Sequence, residues 1–403
     1  MFHIEKRSAY RLLRTLIDIY GPALNMQNLD NLLLKSPVYC ELLKKIKETK
    51  NIEISGIKGS ADSFLAYSLY KDTGRPLLLI LPDDDSALRA YYDLQAFFTE
   101  GLFFFPALEE LEGVLLPPSS ELKEQRLLGL KELLEGQFKA AVFSNRSFTQ
   151  AVPGQKDFAG SVFTLERAGE VKLIGIVEQL IKAGYKMETF VEKKGEISVR
   201  GGILDIYPPT EEHPVRIDFY GDSIDTLRVF DLLTQKSTKE ISKISIYPAG
   251  ENNFKSGQIT EYLRENALFY IEEPLTEGNK IPKTPDFTVI NNKRTETGLD
   301  IKTKSFPSFS GNVTLAIEEI KKLEAEGAKV FLFFNSSGEK ERFAEILEEN
   351  KAVLRAEYLE GSLHAGFYFP GAGACFITDN EIFGRYGNAR PAPKRRRLSL
   401  IHI

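Results

Sequence analysis

Residues Gly56 to Ser63, in the stretch GIKGSADS, come close to a phosphate-binding loop. Such a loop has the spacing G-x-x-x-x-G-K-[ST]. Backbone N–H groups cradle the phosphates, the lysine neutralises the β and γ groups, and the hydroxyl holds magnesium. Gly56 and Ser63 keep the first and last positions, with Gly59 between them. The second glycine is Ala61, however, and the lysine is Asp62. A carboxylate at contact distance from a phosphate is repelled by about 1 kcal/mol in water and by more where water is excluded. The lysine contact is lost as well. A strand-to-helix turn kept for packing is the favoured reading, and no nucleotide cofactor is expected. Glu272 and Glu273 follow the apolar run ALFYI, where a worn magnesium-binding strand end would stand. Without the lysine they read as a strand end, not a metal site. His3, His213, His364 and His402 show no ligand spacing, and no Cys–His or Ser–His–Asp pattern is evident, so no metal or catalytic residue is expected.

These residues need elements to hold them. NIEIS reads as a strand into the glycine turn and RPLLLILPD as a fully apolar strand, as buried parallel sheets require. DSALRAYYDLQAFF and SSELKEQRLLGLKELLEG read as helices, the second with serine caps and a glycine stop. GLFFFP and QFKAAVFSN read as strands, with Ser147 capping the next helix. Ser36-Pro37 interrupts a leucine-rich helix over 28–49. This alternation predicts an α/β layer on a parallel sheet. Near residue 160 the texture changes. One helix, KLIGIVEQLIKAGY, accompanies strands that alternate apolar and polar residues, the sign of an antiparallel α+β insertion. After about 250 the α/β texture returns. Residues 278–309 read as a polar linker with embedded strands, and AGFYFPGAGACFITDNEIFGRYG as two strands and a turn.

Strand period puts Val215, Ile217 and Phe219 on one face and Arg216, Asp218 and Tyr220 on the other. The same rule turns Ile197 and Val199 inward and Ser198 and Arg200 outward. The YPPTEEHP turn would bring Arg200 and Arg216 side by side. Arginine and aromatic residues are what interfaces favour. From spacing alone a solvated sheet face with a routine Arg–Asp pair is the better reading.

The chain has 403 residues, enough for two to four domains, with 42% hydrophobic and 27% charged residues and a net charge of −5. That charge argues against a general nucleic-acid coat. Cys40 and Cys375 are far apart, which predicts no disulfide framework and a cytosolic chain. No apolar run approaches a membrane span. The opening MFHIEKRSAYRLLRTLIDIYG is a poor signal peptide and reads as an amphipathic helix.

Arg200 to Ser237, RGGILDIYPPTEEHPVRIDFYGDSIDTLRVFDLLTQKS, closely resembles the second domain of the bacterial transcription-repair coupling factors, shared with the excision-repair subunit UvrB. The resemblance runs from about Met26 to Arg390. KVFLFFNSSGEKERFAEILEE and DNEIFGR resemble the third domain of the coupling factors, which UvrB lacks. The resemblance implies an α/β fold: a degenerate RecA-like, UvrB-like parallel sheet with an inserted α+β UvrA-binding domain, followed by a small α/β domain. The expected divisions are an N-terminal helical segment over 1–49, RecA-like parts over 50–160 and 250–306, the insertion over 161–249 and the third domain over 307–390. Residues 391–403 would be the start of a basic linker and an artefactual tail.

The resemblance also reverses the reading of the arginine face. The family's UvrA-contacting positions fall on Arg200, Arg216 and Tyr220, and Asp218 matches a UvrB carboxylate used for the same partner. Ser198 stands where UvrB has an arginine. The long tyrosine-rich hairpin that UvrB inserts into damaged DNA is replaced by the short FFFPALEELEGVLLPPSSELKEQ. The implied function is an adaptor, not an enzyme, that recruits UvrA to stalled RNA polymerase in transcription-coupled nucleotide excision repair. RNA polymerase and DNA would be engaged through a polymerase-interacting domain and an ATP-driven translocase expected to be missing here. The family's masking C-terminal domain would be missing too, leaving the face constitutively exposed. The chain would be a monomer in the bacterial cytoplasm. The alternative is a UvrB-like ATP- and damaged-DNA-binding protein, against which Asp62 and the short hairpin argue. Arg126 is expected to be a structural or surface charge, and KRRR at 394–397 a solvated linker. LSLIHI at the end matches translated transposon sequence from library construction, and Met26 resembles a natural start.

Overall fold

The computed structural model describes residues 29–111, 114–252, 254–264, 266–272, 287–293 and 298–384. The helix expected near the N-terminus, Met26, Glu273, the last residue of DNEIFGR, the KRRR run and the LSLIHI tail lie outside the described residues.

The central layer is a seven-stranded parallel sheet. Its order is Leu299–Asp300, Asn51–Ser55, Thr288–Asn292, Leu268–Glu272, Leu77–Leu81, Ala140–Ser144 and Leu102–Phe105. Both faces are covered, which is why LLLIL carries no polar position. Leu77, Leu79 and Leu81 pack with the helices Pro37–Glu48, Ala61–Thr73 and Asp84–Gln95. Leu78 and Ile80 pack on the other side with Leu127, Leu130 and Leu133 of Ser120–Glu135. The sheet is therefore the α/β layer expected, with its apolar runs explained by two-sided burial.

Some local expectations change. Thr288–Asn292, in the stretch expected as a linker with embedded strands, is such a strand, but it lies in the interior of the central sheet and is paired on both edges. Ser144, not Ser147, caps the short helix Asn145–Thr149. The two serines bond reciprocally, with Ser147 at the third helical position. DNEIF is a helix, Asp379–Phe383, started by a capping box of Thr378 and Glu381, where a turn was expected. Pro37 does interrupt the leucine-rich segment, as the first residue of its helix.

The insertion carries a six-stranded sheet in the order Ser237–Glu240, Ser223–Phe230, Val215–Tyr220, Ile203–Ile206, Glu196–Arg200 and Lys186–Met187. Neighbours are antiparallel except the last pair. One face packs on Ile176 and Leu180 of the helix Leu173–Lys182, and the other carries Arg216, Asp218 and Tyr220. A further five-stranded sheet contains Lys304–Ser305, Phe367–Phe369, Ala374–Thr378, Lys329–Phe334 and Glu357–Glu360.

The insertion is tied to the central layer through Ser120–Glu135. Arg126 is fully buried. Its Nε and Nη2 donate to Glu251 at 2.7 and 2.8 Å, its Nη1 donates to the Pro106 carbonyl, and it lies over the Phe105 ring. Lys194 donates to Glu124, and the Tyr247 hydroxyl to Glu135. Arg126 is thus a structural charge of the interior. Removing one partner of a buried pair leaves the other charge uncompensated, at about 3–5 kcal/mol. Arg126→Ala should lower unfolding stability by that amount, with a smaller loss when Glu251→Gln is combined with Arg126→Met. Urea denaturation reads this directly, and an unchanged midpoint for Arg126→Ala would contradict it.

Candidate functional site

The first sequence candidate sits where it was expected, between the strand Asn51–Ser55 and the helix Ala61–Thr73. Gly56 and Gly59 both have positive φ, 74° and 60°. A Cβ on Gly59 would come within 2.6 Å of the Gly366 carbonyl oxygen. Part of the loop is held from within the chain. The Lys58 N–H donates to Thr303 Oγ1 at 2.7 Å, and the Ser60 N–H donates to the Ala365 carbonyl at 3.1 Å. Two amides in the position of a phosphate cradle are therefore committed to protein acceptors. Ala61 and Ser63 are buried, and the Ser63 hydroxyl has no hydrogen-bond partner among the described residues.

Beside the loop lies a cavity of about 740 Å³. Lys58, Arg89 and Lys293 line it together with Asp62, Glu272 and Asp300, so its walls carry both signs of charge. Desolvation pushes the Asp62 carboxyl up to about 7, and Asp93 adds to the rise while His364 opposes it. Asp93 is buried and accepts from His364 twice, at the backbone N–H (2.7 Å) and at Nδ1 (2.5 Å). Ser60 Oγ lies 3.0 Å from the same Nδ1. These three residues, separated by up to 304 positions, escaped sequence reading because no local spacing joins them. A serine–histidine–carboxylate relay uses both ring nitrogens. Here one nitrogen serves both neighbours and Ser60 is fully buried, so the arrangement is a clasp between the loop and the segment 363–366.

The second candidate is the open face of the inserted sheet. Val215 and Ile217 point into the core, while Arg216, Asp218 and Tyr220 lie opposite, as strand period requires. Tyr220 is 86% exposed. Three expectations change. Arg200 and Arg216 are not on neighbouring strands, because Ile203–Ile206 runs between them. Ser198 is only 2% exposed, its hydroxyl donating to the Thr189 carbonyl, while Val199 is 36% exposed near the strand end. The carboxylate that joins the two arginines is Asp205, not Asp218. Asp205 accepts from Arg200 Nη2 at 2.5 Å and from Arg216 Nε and Nη2 at 2.7 and 2.9 Å. Asp218 instead accepts from Thr226 and Arg228.

Asp205 was missed although a signal existed. Cross-strand register places it opposite both Ser198 and Arg216, on the outer face between apolar Leu204 and Ile206. Each arginine also covers an aromatic ring, Arg216 over Phe230 at 4.5 Å and Arg200 over Phe190 at 5.1 Å. The hydrogen bond and charge of Asp205 raise the Arg216 pKa despite partial burial, so this guanidinium stays charged. Phe190, Tyr220 and Leu233 are exposed apolar groups of this region.

The Asp62 geometry gives a pH expectation. A carboxyl raised from 3.8 to about 7 binds its proton more tightly in the folded state, so stability falls as pH rises through that window. His364 acts in the same direction. Burial lowers its pKa, but the Asp93 hydrogen bond and charge outweigh this, and its contribution is lost as pH rises through the elevated value. Asp62→Asn keeps an Oδ1 to accept from the Ser63 N–H. It should raise the melting temperature more at pH 8 than at pH 5. Thermal unfolding across that range checks it, and an equal shift at both pH values would refute it.

Residues 163–252, which contain this whole face, match the family described as the UvrB interaction domain. Over 228 residues, 56% of this chain, the sequence is 27% identical to the transcription-repair-coupling factor of Bacillus subtilis, covering 19% of that protein. It is 30% identical over 231 residues to that of Mycobacterium tuberculosis, covering 55% of this chain and 18% of the relative. To the UvrABC system protein B of Thermosipho africanus it is 26% identical over 229 residues, 52% of this chain and 35% of that protein. The chain spans about a fifth of the coupling factors and about a third of the UvrB protein. The chain carries a UvrB interaction domain and is homologous over about half its length to coupling factors and UvrB proteins, which supports its reading as the N-terminal region of a transcription-repair coupling factor.

Proposed function

We propose that this chain is an adaptor of nucleotide excision repair that presents the open face of its inserted sheet to UvrA. One observation carries the reading. Arg200 and Tyr220 stand exposed on a preformed sheet face that lies inside the matched UvrB interaction domain. Arg200, Arg216, Asp218 and Tyr220 form the proposed contact region. An interface of this kind draws its affinity from a few arginine and aromatic anchors at a desolvated centre. Within a longer coupling factor the same face would deliver UvrA to sites of stalled RNA polymerase. Contacts with RNA polymerase and DNA would then belong to other parts of such a protein.

The rival is a UvrB-like protein that binds ATP and damaged DNA. The cavity beside the loop invites it. Against it stand Asp62 in the lysine position, the mixed charge of the walls, and the amides of Lys58 and Ser60 already bonded to Thr303 and Ala365.

Binding of purified UvrA to this chain and to the Arg200→Ala/Arg216→Ala double variant tests the proposal. The parent should bind, and the double variant should bind about tenfold or more weakly while its thermal unfolding remains cooperative, on the scale of one hot-spot residue at about 2 kcal/mol. No binding by the parent would defeat the adaptor reading. Equal binding by both would keep the partner and reject the face. Saturable binding of a fluorescent ATP analogue by the parent, weakened by Gly56→Ala, would favour the rival.

A further inference from the structure

The two arginines of the open face do not stand in equivalent positions. Arg216 makes four hydrogen bonds. Its Nε and Nη2 donate to Asp205, and its Nη1 and Nη2 donate to the carbonyl and side-chain oxygens of Gln235, both at 3.3 Å. It also covers Phe230, and its side chain is 16% exposed. A guanidinium has five N–H donors, so Arg216 has little left to offer a partner. Among the described residues Arg200 makes one bond, from Nη2 to Asp205, and its side chain is 40% exposed. Its remaining donors face outward beside Phe190, which is itself exposed.

Asp205 is the hub. Its side chain is 2% exposed, and it receives all three of these bonds from the flanking strands. An ionised carboxylate is costly to bury unless it is paired and hydrogen-bonded, and two arginines supply both. A bidentate pair also fixes direction, because the guanidinium fork and the carboxylate are planar. The charges of Arg200, Arg216 and Asp205 sum to one positive charge on the outer face.

We propose that Asp205 is the positioning residue of this face: with Arg216 as its anchor, it holds Arg200 as an outward guanidinium to be met by a carboxylate of the partner, while Arg228, on the same face, is held by Asp218. This deepens the UvrA-binding reading and takes UvrA as the partner. Arg216 then acts through Asp205 instead of touching the partner. Loss of either Asp205 or Arg216 releases Arg200 from its defined geometry, so part of the affinity goes without loss of any direct contact.

A double-mutant cycle in UvrA binding tests this. Arg200→Ala and Asp205→Asn should each weaken binding about tenfold or more. Together they should cost little more than Arg200→Ala alone, because without Arg200 there is nothing left to position. Costs that multiply would overturn the proposal, since a merely structural Asp205 leaves the Arg200 contact intact. Arg216→Gln provides the same cycle if Asp205→Asn does not fold. The unmutated chain supplies an independent arm through hydrogen exchange of the arginine Nε–H groups followed by NMR. The Arg216 Nε–H should exchange slowly and the Arg200 Nε–H quickly. Adding UvrA should perturb Arg200 while leaving the Arg216 signal in place. Fast exchange at Arg216 in the free chain, or a UvrA-induced change there and not at Arg200, would overturn the assignment. If UvrA does not bind the parent, the adaptor reading falls, while the exchange rates still decide whether Asp205 anchors Arg216.

Discussion

The helix Ala61–Thr73 is packed between two sheets, and much of the molecule depends on that placement. From Ala61 to Leu69 every residue but Asp62 is buried. One side lies against the central sheet. On the other, the Phe64 ring meets Phe376 and Phe367 of the five-stranded sheet at 4.6 and 6.1 Å. A helix buried all round has no polar stripe, which is why its sequence shows weak amphipathic spacing. The cost of such a position falls at its N-terminus, where backbone N–H groups have no intrahelical acceptor. In a phosphate-binding loop a ligand meets that need. Here the Ala61 N–H donates to the Lys58 carbonyl and the Ser63 N–H to Asp62, while Thr303 and Ala365 accept from Lys58 and Ser60 just before the helix. A Cβ at Gly59 would meet the Gly366 carbonyl oxygen, so that position needs a glycine whatever the loop binds.

The inserted sheet obeys a different constraint. Its inner face is covered by the helix Leu173–Lys182 together with Leu165, Ile244 and Ile246, so its outer face is left to carry charge. The charges there are not independent of the fold. Asp205 lies on the strand between those of Arg200 and Arg216, and antiparallel register brings all three into contact. A one-residue slip of its strand would turn the carboxylate into the apolar core. Register and ion network therefore specify each other. The buried tie of Arg126 to Glu251 and the half-exposed tie of Lys194 to Glu124 then fix this sheet against the central layer, so the face has a defined direction relative to the rest of the chain.

What could be read from sequence divides along a physical line. LLLIL declared a buried parallel strand because two-sided burial leaves no polar position. HPVRIDFYGD declared its two faces because period two is local. TVINN declared a strand within a polar stretch but not its place, since Asn291 and Asn292 disguise an interior position that only pairing with Asn51–Ser55 and Leu268–Glu272 reveals. The loop remnant was legible as a departure from a motif, but its replacement for the ligand was not. His364 and Asp93 are 271 residues apart, and long-range contacts leave no spacing to count. The arginine face lies between these extremes. Its members are legible from strand period, but their shared partner is not, because period alone does not reveal that a third strand separates the two that carry Arg200 and Arg216.

The hidden pairing also shows why residue types alone overstate an interface. Arg200, Arg216 and Arg228 are each already paired with a carboxylate of their own sheet. A guanidinium so paired is stiff, partly dehydrated and stripped of some donors. Such groups lose less conformational freedom on binding than free lysines or arginines would. They also present less net charge, which reduces long-range attraction and shifts recognition toward shape and short-range contacts. The exposed aromatic Tyr220 fits that balance, because a ring fixed at a strand end contributes contact area at small entropic cost. On the proposed reading, such a face suits a partner that complements it closely, with specificity resting on the geometry of the carboxylate beneath it more than on the number of its arginines.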